Sequence, residues 1–202
     1  MTASLIIGVL ALQGDVREHM RALAQCGVDV MAVGDVDALG SVDGLVLPGG
    51  ESTTMSKLAV RDGLIGPLRD AQQAGLPMFG SCAGMIMLAD RTLDAREDQE
   101  MIGGLDVTVR RNAFGRQVDS FEAEVDMPLL AGPAFPAVFI RAPWVEVTGA
   151  GVEILARIDR QDGPDTVVAV KQGPLIATSF HPELTGDARI HEMFIDMVRQ
   201  SL

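Results

Sequence analysis

The sequence predicts an α/β fold built on a mostly parallel sheet with an antiparallel extension, and three observations predict it. Short apolar runs alternate with amphipathic helical stretches through the first half, the signature of strands joined by right-handed helical crossovers. The first run, Leu5 to Leu12, is apolar without alternation, as a central strand buried on both faces requires. The second half changes to short, mostly β-branched segments punctuated by Gly, Pro and Asp. No repeat, low-complexity tract or linker interrupts the chain, so residues 1–202 read as one domain.

Gln13-Gly14-Asp15 ends the first strand, and Val16 to Cys26 reads as a helix with Asp15 as N-cap and Gly27 as its stop. Val28 to Val33 and Leu45 to Leu47 are the next strands, the latter ending in Pro48-Gly49-Gly50. Helices are expected over Ser52 to Val60 and Leu64 to Ala74. Leu76 to Phe79 is a buried strand, and Met85 to Leu88 is the buried side of a helix that follows a sharp turn. Strands are then expected over Asp106 to Arg111, Val118 to Val125, Ala137 to Ile140, Val152 to Arg157, Thr166 to Lys171 and Leu175 to Ser179. Asp162-Gly163-Pro164 is a hairpin turn. Asp187 to Leu202 closes the chain as an amphipathic helix with Ile190, Phe194, Ile195 and Val198 on one face.

Composition narrows the function. Hydrophobic residues make up 48% and charged residues 22% of the 202, ordinary values for a soluble globular protein. A net charge of −12 opposes a phosphate backbone, and 4% aromatic content without Tyr offers no stacking platform for bases, so nucleic acid is not an expected partner. The Leu5–Leu12 run is too short to span a membrane, and no membrane association is expected. Two cysteines, Cys26 and Cys82, form no disulfide framework; this points to a reducing compartment and a cytoplasmic location.

The chemistry centres on Gly80-Ser81-Cys82-Ala83-Gly84. A buried strand, a sharp turn of small residues and a helix make a nucleophile elbow with Cys82 at its tip. The N–H groups that open the helix stabilise negative charge on a thiolate there. The competing reading of Cys82 is a buried structural thiol. Among three histidines, His19 and His191 fall inside the first and last helices and read as solvated or partly packed surface residues. His181 follows an apolar strand, so it sits at the carboxyl edge of a parallel sheet, where ligands bind and where Cys82 also lies. Glu183, on the same side of an extended segment, orients the imidazole. The Pro48-Gly49-Gly50-Glu51-Ser52 loop opens a helix at that edge, and its N–H groups, with that of Ala83, suit a developing oxyanion. No metal is expected, because His181-Pro182-Glu183 has no further ligands at suitable spacing.

These residues are recognisable. Gly80-Ser81-Cys82-Ala83-Gly84 with a distant His181-Pro182-Glu183 resembles the class I, or triad, glutamine amidotransferases. Leu12-Gln13-Gly14-Asp15, the run from Leu47 to Thr54, the run from Arg111 through Gly115-Arg116-Gln117 to Glu122, Phe139-Ile140-Arg141-Ala142-Pro143 and His181 to Thr185 narrow the resemblance to the glutaminase subunits of pyridoxal 5′-phosphate synthase. The resemblance runs in order along nearly the whole chain. It implies a flavodoxin-like three-layer α/β sandwich that hydrolyses L-glutamine to glutamate and ammonia. Cys82 is then the nucleophile, His181 the proton carrier and Glu183 its orienting partner. Gly50 and Ala83 supply the oxyanion N–H groups, and Gly50, Glu51, Ser52, Arg111, Ile140 and Arg141 hold glutamine. Gln13 lies at the interface with a barrel-shaped synthase subunit and helps activate the site. The resemblance implies no cofactor, pyridoxal 5′-phosphate being a product of the complex.

Two alternatives remain. One is an amidotransferase subunit that feeds ammonia to a different acceptor; the Gly-Gly-Glu-Ser-Thr-Thr and Arg-Asn-Ala-Phe-Gly-Arg-Gln runs oppose it. The other is a redox-sensing protein on the same scaffold, which has no need of His181 and Glu183.

Overall fold

A computed structural model describes residues 4–111, 113, 120–160 and 163–202. In chain order the first half contains β1 (Ile6–Leu10), α1 (Val16–Gln25), β2 (Asp29–Val33), α2 (Val36–Leu39), β3 (Gly44–Leu47), α3 (Ser52–Arg61), α4 (Ile65–Gln73), β4 (Met78–Ser81) and α5 (Ala83–Leu88). The second half contains β5 (Ala89–Leu93), β6 (Leu105–Arg110), β7 (Ser120–Val125), β8 (Phe135–Ile140), β9 (Trp144–Thr148), β10 (Glu153–Arg160), β11 (Gly163–Gln172), β12 (Leu175–Thr178), a 3-10 turn (Pro182–Leu184) and α6 (Arg189–Ser201).

Among the described residues, ten strands form one sheet in the order β2-β1-β3-β4-β12-β11-β9-β6-β5, with β10 paired along β11. The first five are mutually parallel, and β11 turns antiparallel against β12 to begin the predicted extension. Strand alternation sends side chains to both faces. Leu45, Leu47, Met78, Leu175 and Ala177 enter one apolar cluster with Met55 of α3, Leu68 of α4 and Met85 of α5. Val46, Phe79 and Ile176 enter the other with Leu23 of α1 and Phe194 of α6. This double burial explains why the central strands read as unbroken apolar runs, and it yields the expected three layers. The predicted stripe of α6 is borne out: Ile190, Phe194, Ile195 and Val198 are all buried. Burying one such side chain is worth roughly 1.5–3 kcal/mol, which holds the helix to the sheet.

β7 and β8 stand apart as a hairpin. Phe121 and Phe139 stack at 4.6 Å between centroids, and Phe139 packs edge-on against Phe180 at 5.5 Å. That packing brings the end of β8 over the carboxyl edge of β4 and β12.

Three elements differ from expectation. α2 is four residues long, too short for a helical period to show; Asp35 caps it by accepting from Ala38 N–H at 2.8 Å. β5 pairs with β6 at the end of the sheet and exposes Asp90 and Arg91, so its sequence lacks an apolar face. β9 buries Val145 but exposes both Glu146 and Val147, with a register shift in its pairing to β6, and the sequence reading assigned it nothing. The expected strand start at Val118-Asp119, and Asp162 of the expected hairpin turn, lie outside the described residues, as do Asn112 and 114–119 of the Arg111–Glu122 run. Among the described residues, no helix is long and apolar enough to cross a membrane.

Candidate active site

Four adjacent parallel strands, β1, β3, β4 and β12, deliver their carboxyl ends to one place: Gln13–Asp15, Pro48–Ser52, Cys82 and His181. Cys82 adopts φ 46° and ψ −99°, a conformation rarely taken by a residue with a Cβ. Its neighbours explain how the turn fits. A Cβ on Gly80 would lie 2.4 Å from the Gly84 carbonyl carbon, and one on Gly84 would lie 2.2 Å from Leu47 O. The elbow therefore presses against itself and against β3 with no room for side chains. Cys82 N–H donates to Thr178 O at 2.8 Å, tying the elbow to β12, and its Sγ lies 3.8 Å from Ile140 O.

His181 is buried and lies among three partners. Its Nδ1 is 2.8 Å from Glu183 Oε1 and 3.2 Å from Asp15 Oδ2, and it also interacts with the side chain of Cys82. Glu183 meets the imidazole as expected, but not from an extended segment: Pro182–Leu184 is a 3-10 turn that curls the carboxylate back onto the ring. Burial alone would push the His181 imidazole down; its bonds with Asp15, Cys82 and Glu183 outweigh that and hold it well above the ordinary histidine value. Burial would raise Glu183, yet His19 and His181 together hold it below the usual carboxylate range.

Asp15 corrects a prediction. It precedes α1 but makes no side-chain capping bond there; its carboxylate turns to His181 instead. The donor atoms of Asp15, His181 and Glu183 lie within 4.8 Å of one another. That closeness is accounted for by a ring nitrogen between two carboxylates.

His19 and His191 also depart from the surface reading, for both are fully buried. His19 Nδ1 lies 3.0 Å from His191 Nε2. His19 Nε2 lies 2.9 Å from Ser81 Oγ and 3.3 Å from Glu183 Oε2, the latter an ion-pair contact outside hydrogen-bond geometry. Facing the Glu183 carboxylate requires a proton on His19 Nε2, and one proton is shared between His19 Nδ1 and His191 Nε2. His191 Nδ1 is buried without a hydrogen-bond partner among the described residues.

The loop after β3 carries the remaining predicted residues. Gln13 Oε1 accepts from Glu51 N–H at 2.8 Å, so Gln13 grips this loop within the chain. Glu51 caps α3, accepting from Thr53 N–H at 3.0 Å and Thr54 N–H at 2.7 Å. Burial would raise its carboxyl, but these bonds and that of the Thr54 hydroxyl hold it at about 2. Arg111 donates to Glu51 at 3.0 Å and to Thr53 Oγ1 and Gln99 Oε1 at 3.2 Å each. Gln99 is a contributor that the sequence reading missed; it ends a charged stretch with no motif of its own. Ser52 Oγ is buried without a hydrogen-bond partner among the described residues. Gly50 lies in this loop against Gln13 and Gly14, and Ala83 follows Cys82 as the first residue of α5, where helical N–H groups lack an intrahelical acceptor. Ile140 and Arg141 sit at the end of β8, Arg141 exposed and with φ 44°. Cys82, His181, Glu183, Gly50, Ala83, Glu51, Ser52 and Ile140 thus gather at one sheet edge, and Arg111 reaches it through Glu51.

Known proteins resemble this chain. A model of the SNO glutamine amidotransferase family matches residues 9–200. A protein named pyridoxal 5′-phosphate synthase subunit PdxT from Frankia casuarinae is 60% identical, over 96% of this chain and 96% of its own length. Another of that name from a Parafrankia species is 60% identical, over 97% of this chain and 94% of its own. A solved structure described as a glutamine amidotransferase superposes with a TM-score of 0.88 at 45% identity, covering 96% of this chain and 98% of the other.

Proposed function

The chain belongs to the SNO glutamine amidotransferase family, and from that premise we propose that it is the glutaminase subunit of a pyridoxal 5′-phosphate synthase. It hydrolyses L-glutamine to L-glutamate and ammonia, and the ammonia feeds a synthase subunit for vitamin B6 biosynthesis. The observation that carries the catalytic reading is the His181 imidazole set between Glu183 and the Cys82 thiol at a strained elbow.

In this reading Cys82 attacks the side-chain amide carbon while His181 holds the thiol proton. The carbonyl oxygen becomes an oxyanion received by the N–H groups of Gly50 and Ala83. As the tetrahedral intermediate collapses, His181 passes the proton to the leaving nitrogen, releasing ammonia and leaving a γ-glutamyl thioester on Cys82. A water, deprotonated by His181, attacks the thioester, and glutamate leaves as the thiol is restored. Glu183 keeps Nδ1–H toward itself, so that Nε2 is the nitrogen that exchanges protons.

Glu51 and Arg111 suit the zwitterion of the substrate. An ionised carboxylate and a guanidinium 3.0 Å apart match the α-ammonium and α-carboxylate of glutamine. Ser52, whose hydroxyl has no partner among the described residues, offers a further polar contact, and the Ile140-Arg141 segment covers the thiol side. Gln13 ties the oxyanion loop to the strand β1 edge, and we place the barrel-shaped synthase subunit against that edge, where its docking adjusts the loop through Gln13. The free thiols Cys26 and Cys82 fit a reducing cytoplasm.

Glutamate release is the direct test, measured for the purified chain alone and mixed with a pyridoxal 5′-phosphate synthase subunit. The reading expects release that rises with the synthase and is lost in His181→Ala. Release indifferent to the synthase would point to another acceptor, and wild-type release by His181→Ala would remove the triad.

A further inference from the structure

Asp15 occupies the position that a helix cap should fill and does something else. Aspartate is among the preferred N-cap residues because its carboxylate accepts from the first free N–H groups of a helix. At α1 this bond is absent, and the Asp15 backbone, at φ −81° and ψ 46°, lies outside the extended region that capping residues adopt. Its main chain is pinned elsewhere: Asp15 N–H donates to Gly49 O at 3.0 Å, joining it to the oxyanion loop. The same loop nests against the ring, since a Cβ on Gly49 would lie 2.3 Å from His181 Cε1 and 3.0 Å from Asp15 Oδ2. The carboxylate is thereby aimed at His181 Nδ1, 3.2 Å away.

Nδ1 bears one proton, and two carboxylates compete for it. Glu183 is nearer, at 2.8 Å, with its side chain fully buried; Asp15 is farther, with its side chain 35% exposed. Their roles therefore differ in kind. Glu183 sets the direction of the ring, while Asp15 adds a second negative charge that favours the imidazolium over the neutral imidazole. The groups facing His181 are Cys82 from the elbow, Glu183 from the 3-10 turn and Asp15 from the β1–α1 loop. His19 and His191 lie behind Glu183. Of these, Asp15 is the carboxylate in contact with both solvent and the ring.

We propose that Asp15 is a positioning residue for the glutaminase reaction, a second carboxylate that stabilises the His181 imidazolium formed with the Cys82 thiolate. The proposal rests on His181 being the proton carrier of that reaction. Opposite charge at this distance moves a titration by one to three pH units in buried sites, and partial exposure places Asp15 at the lower end.

Asp15→Asn keeps the size and the helix-start preference while removing the charge, and Asp15→Glu restores a carboxylate. Two readouts apply to the chain in complex with a synthase subunit: the pH at which the His181 ring titrates, followed by NMR of labelled histidine, and the alkaline limb of kcat/KM for glutamine. In Asp15→Asn both are expected to fall by about one pH unit, with Asp15→Glu returning toward wild type. A His181 titration unmoved in Asp15→Asn would overturn the proposal, whatever happens to the rate, because a purely structural role for Asp15 alters stability without moving that titration. If the wild type releases no glutamate with any synthase, the glutaminase reading fails and the positioning role in that reaction falls with it, while a shifted His181 titration would still show the electrostatic contact.

Discussion

His19 Nδ1 lies 3.0 Å from His191 Nε2, two fully buried rings on the first and last helices, linked through Ser81 and Glu183 to the sheet edge that carries Cys82 and His181. Burial, reinforced by the His19 ring and only partly offset by Glu183, pushes the His191 imidazole down to about 3. The unfolded chain takes up this proton near 6.5 and the folded chain does not. The contribution of His191 to stability is therefore full above pH 6.5 and is lost as pH falls toward 3, at up to about 1.4 kcal/mol per pH unit. In His191→Met, which cannot titrate, urea unfolding is expected to lose less stability than wild type between pH 7 and 4.5. Parallel stability curves for the two proteins would refute this.

His19 carries a different burden, since its Nε2 faces both Ser81 Oγ and Glu183 Oε2. His19→Phe keeps a ring of similar size, leaves the Ser81 hydroxyl without this hydrogen-bond partner and removes the ion-pair contact of Glu183 Oε2. A loss of about 1–3 kcal/mol in urea unfolding is expected, together with a lowered kcat as Glu183 loosens. Unfolding and kcat both within error of wild type would show that neither oxygen depends on this ring.

Gly49→Ala separates the imidazole from the fold. The added Cβ would lie 2.3 Å from His181 Cε1, so the ring must move. Misplacement of a reacting group by about an ångström costs roughly a hundredfold in rate. A kcat reduced by about that factor is expected, with far-UV circular dichroism unchanged; a variant of full kcat would show that the ring and loop move apart without consequence.

Substrate recognition through the Glu51–Arg111 pair predicts a KM effect. Arg111→Met removes a charge-assisted partner for the α-carboxylate, worth about 1.5–3 kcal/mol, or about a ten- to hundredfold rise in the KM for glutamine. Saturation kinetics with glutamine check it, and an unchanged KM would limit Arg111 to holding Glu51, Thr53 and Gln99 in place.

The parts of this site that were legible in the sequence are those written in consecutive residues. An apolar strand running into Gly80-Ser81-Cys82-Ala83-Gly84 announces an elbow, and a strand ending at Phe180-His181 places a histidine on the same edge. Glu183 was legible as a partner but not in its path to the ring, because a single 3-10 turn leaves no periodic trace. What was hidden depends on pairs distant along the chain. His19 and His191 are 172 residues apart, and each alone, on an amphipathic helix, looks like part of a wet face. Burial becomes tolerable only when each ring finds the other, with Ser81 and Glu183 beyond. Asp15 shows the same effect in a shorter range: its helix-start signal is genuine, and tertiary contact with His181 overrides it.

Glutamate release by Cys82→Ala, assayed with L-glutamine and the synthase subunit beside the wild type, tests the central claim most directly. The variant removes the sulfur and leaves a small residue at the elbow. If the thiol is the nucleophile, release by the variant falls to background, while acid-quenched wild type carries a γ-glutamyl group on the peptide that contains Cys82. Release by Cys82→Ala at the wild-type rate would contradict the account.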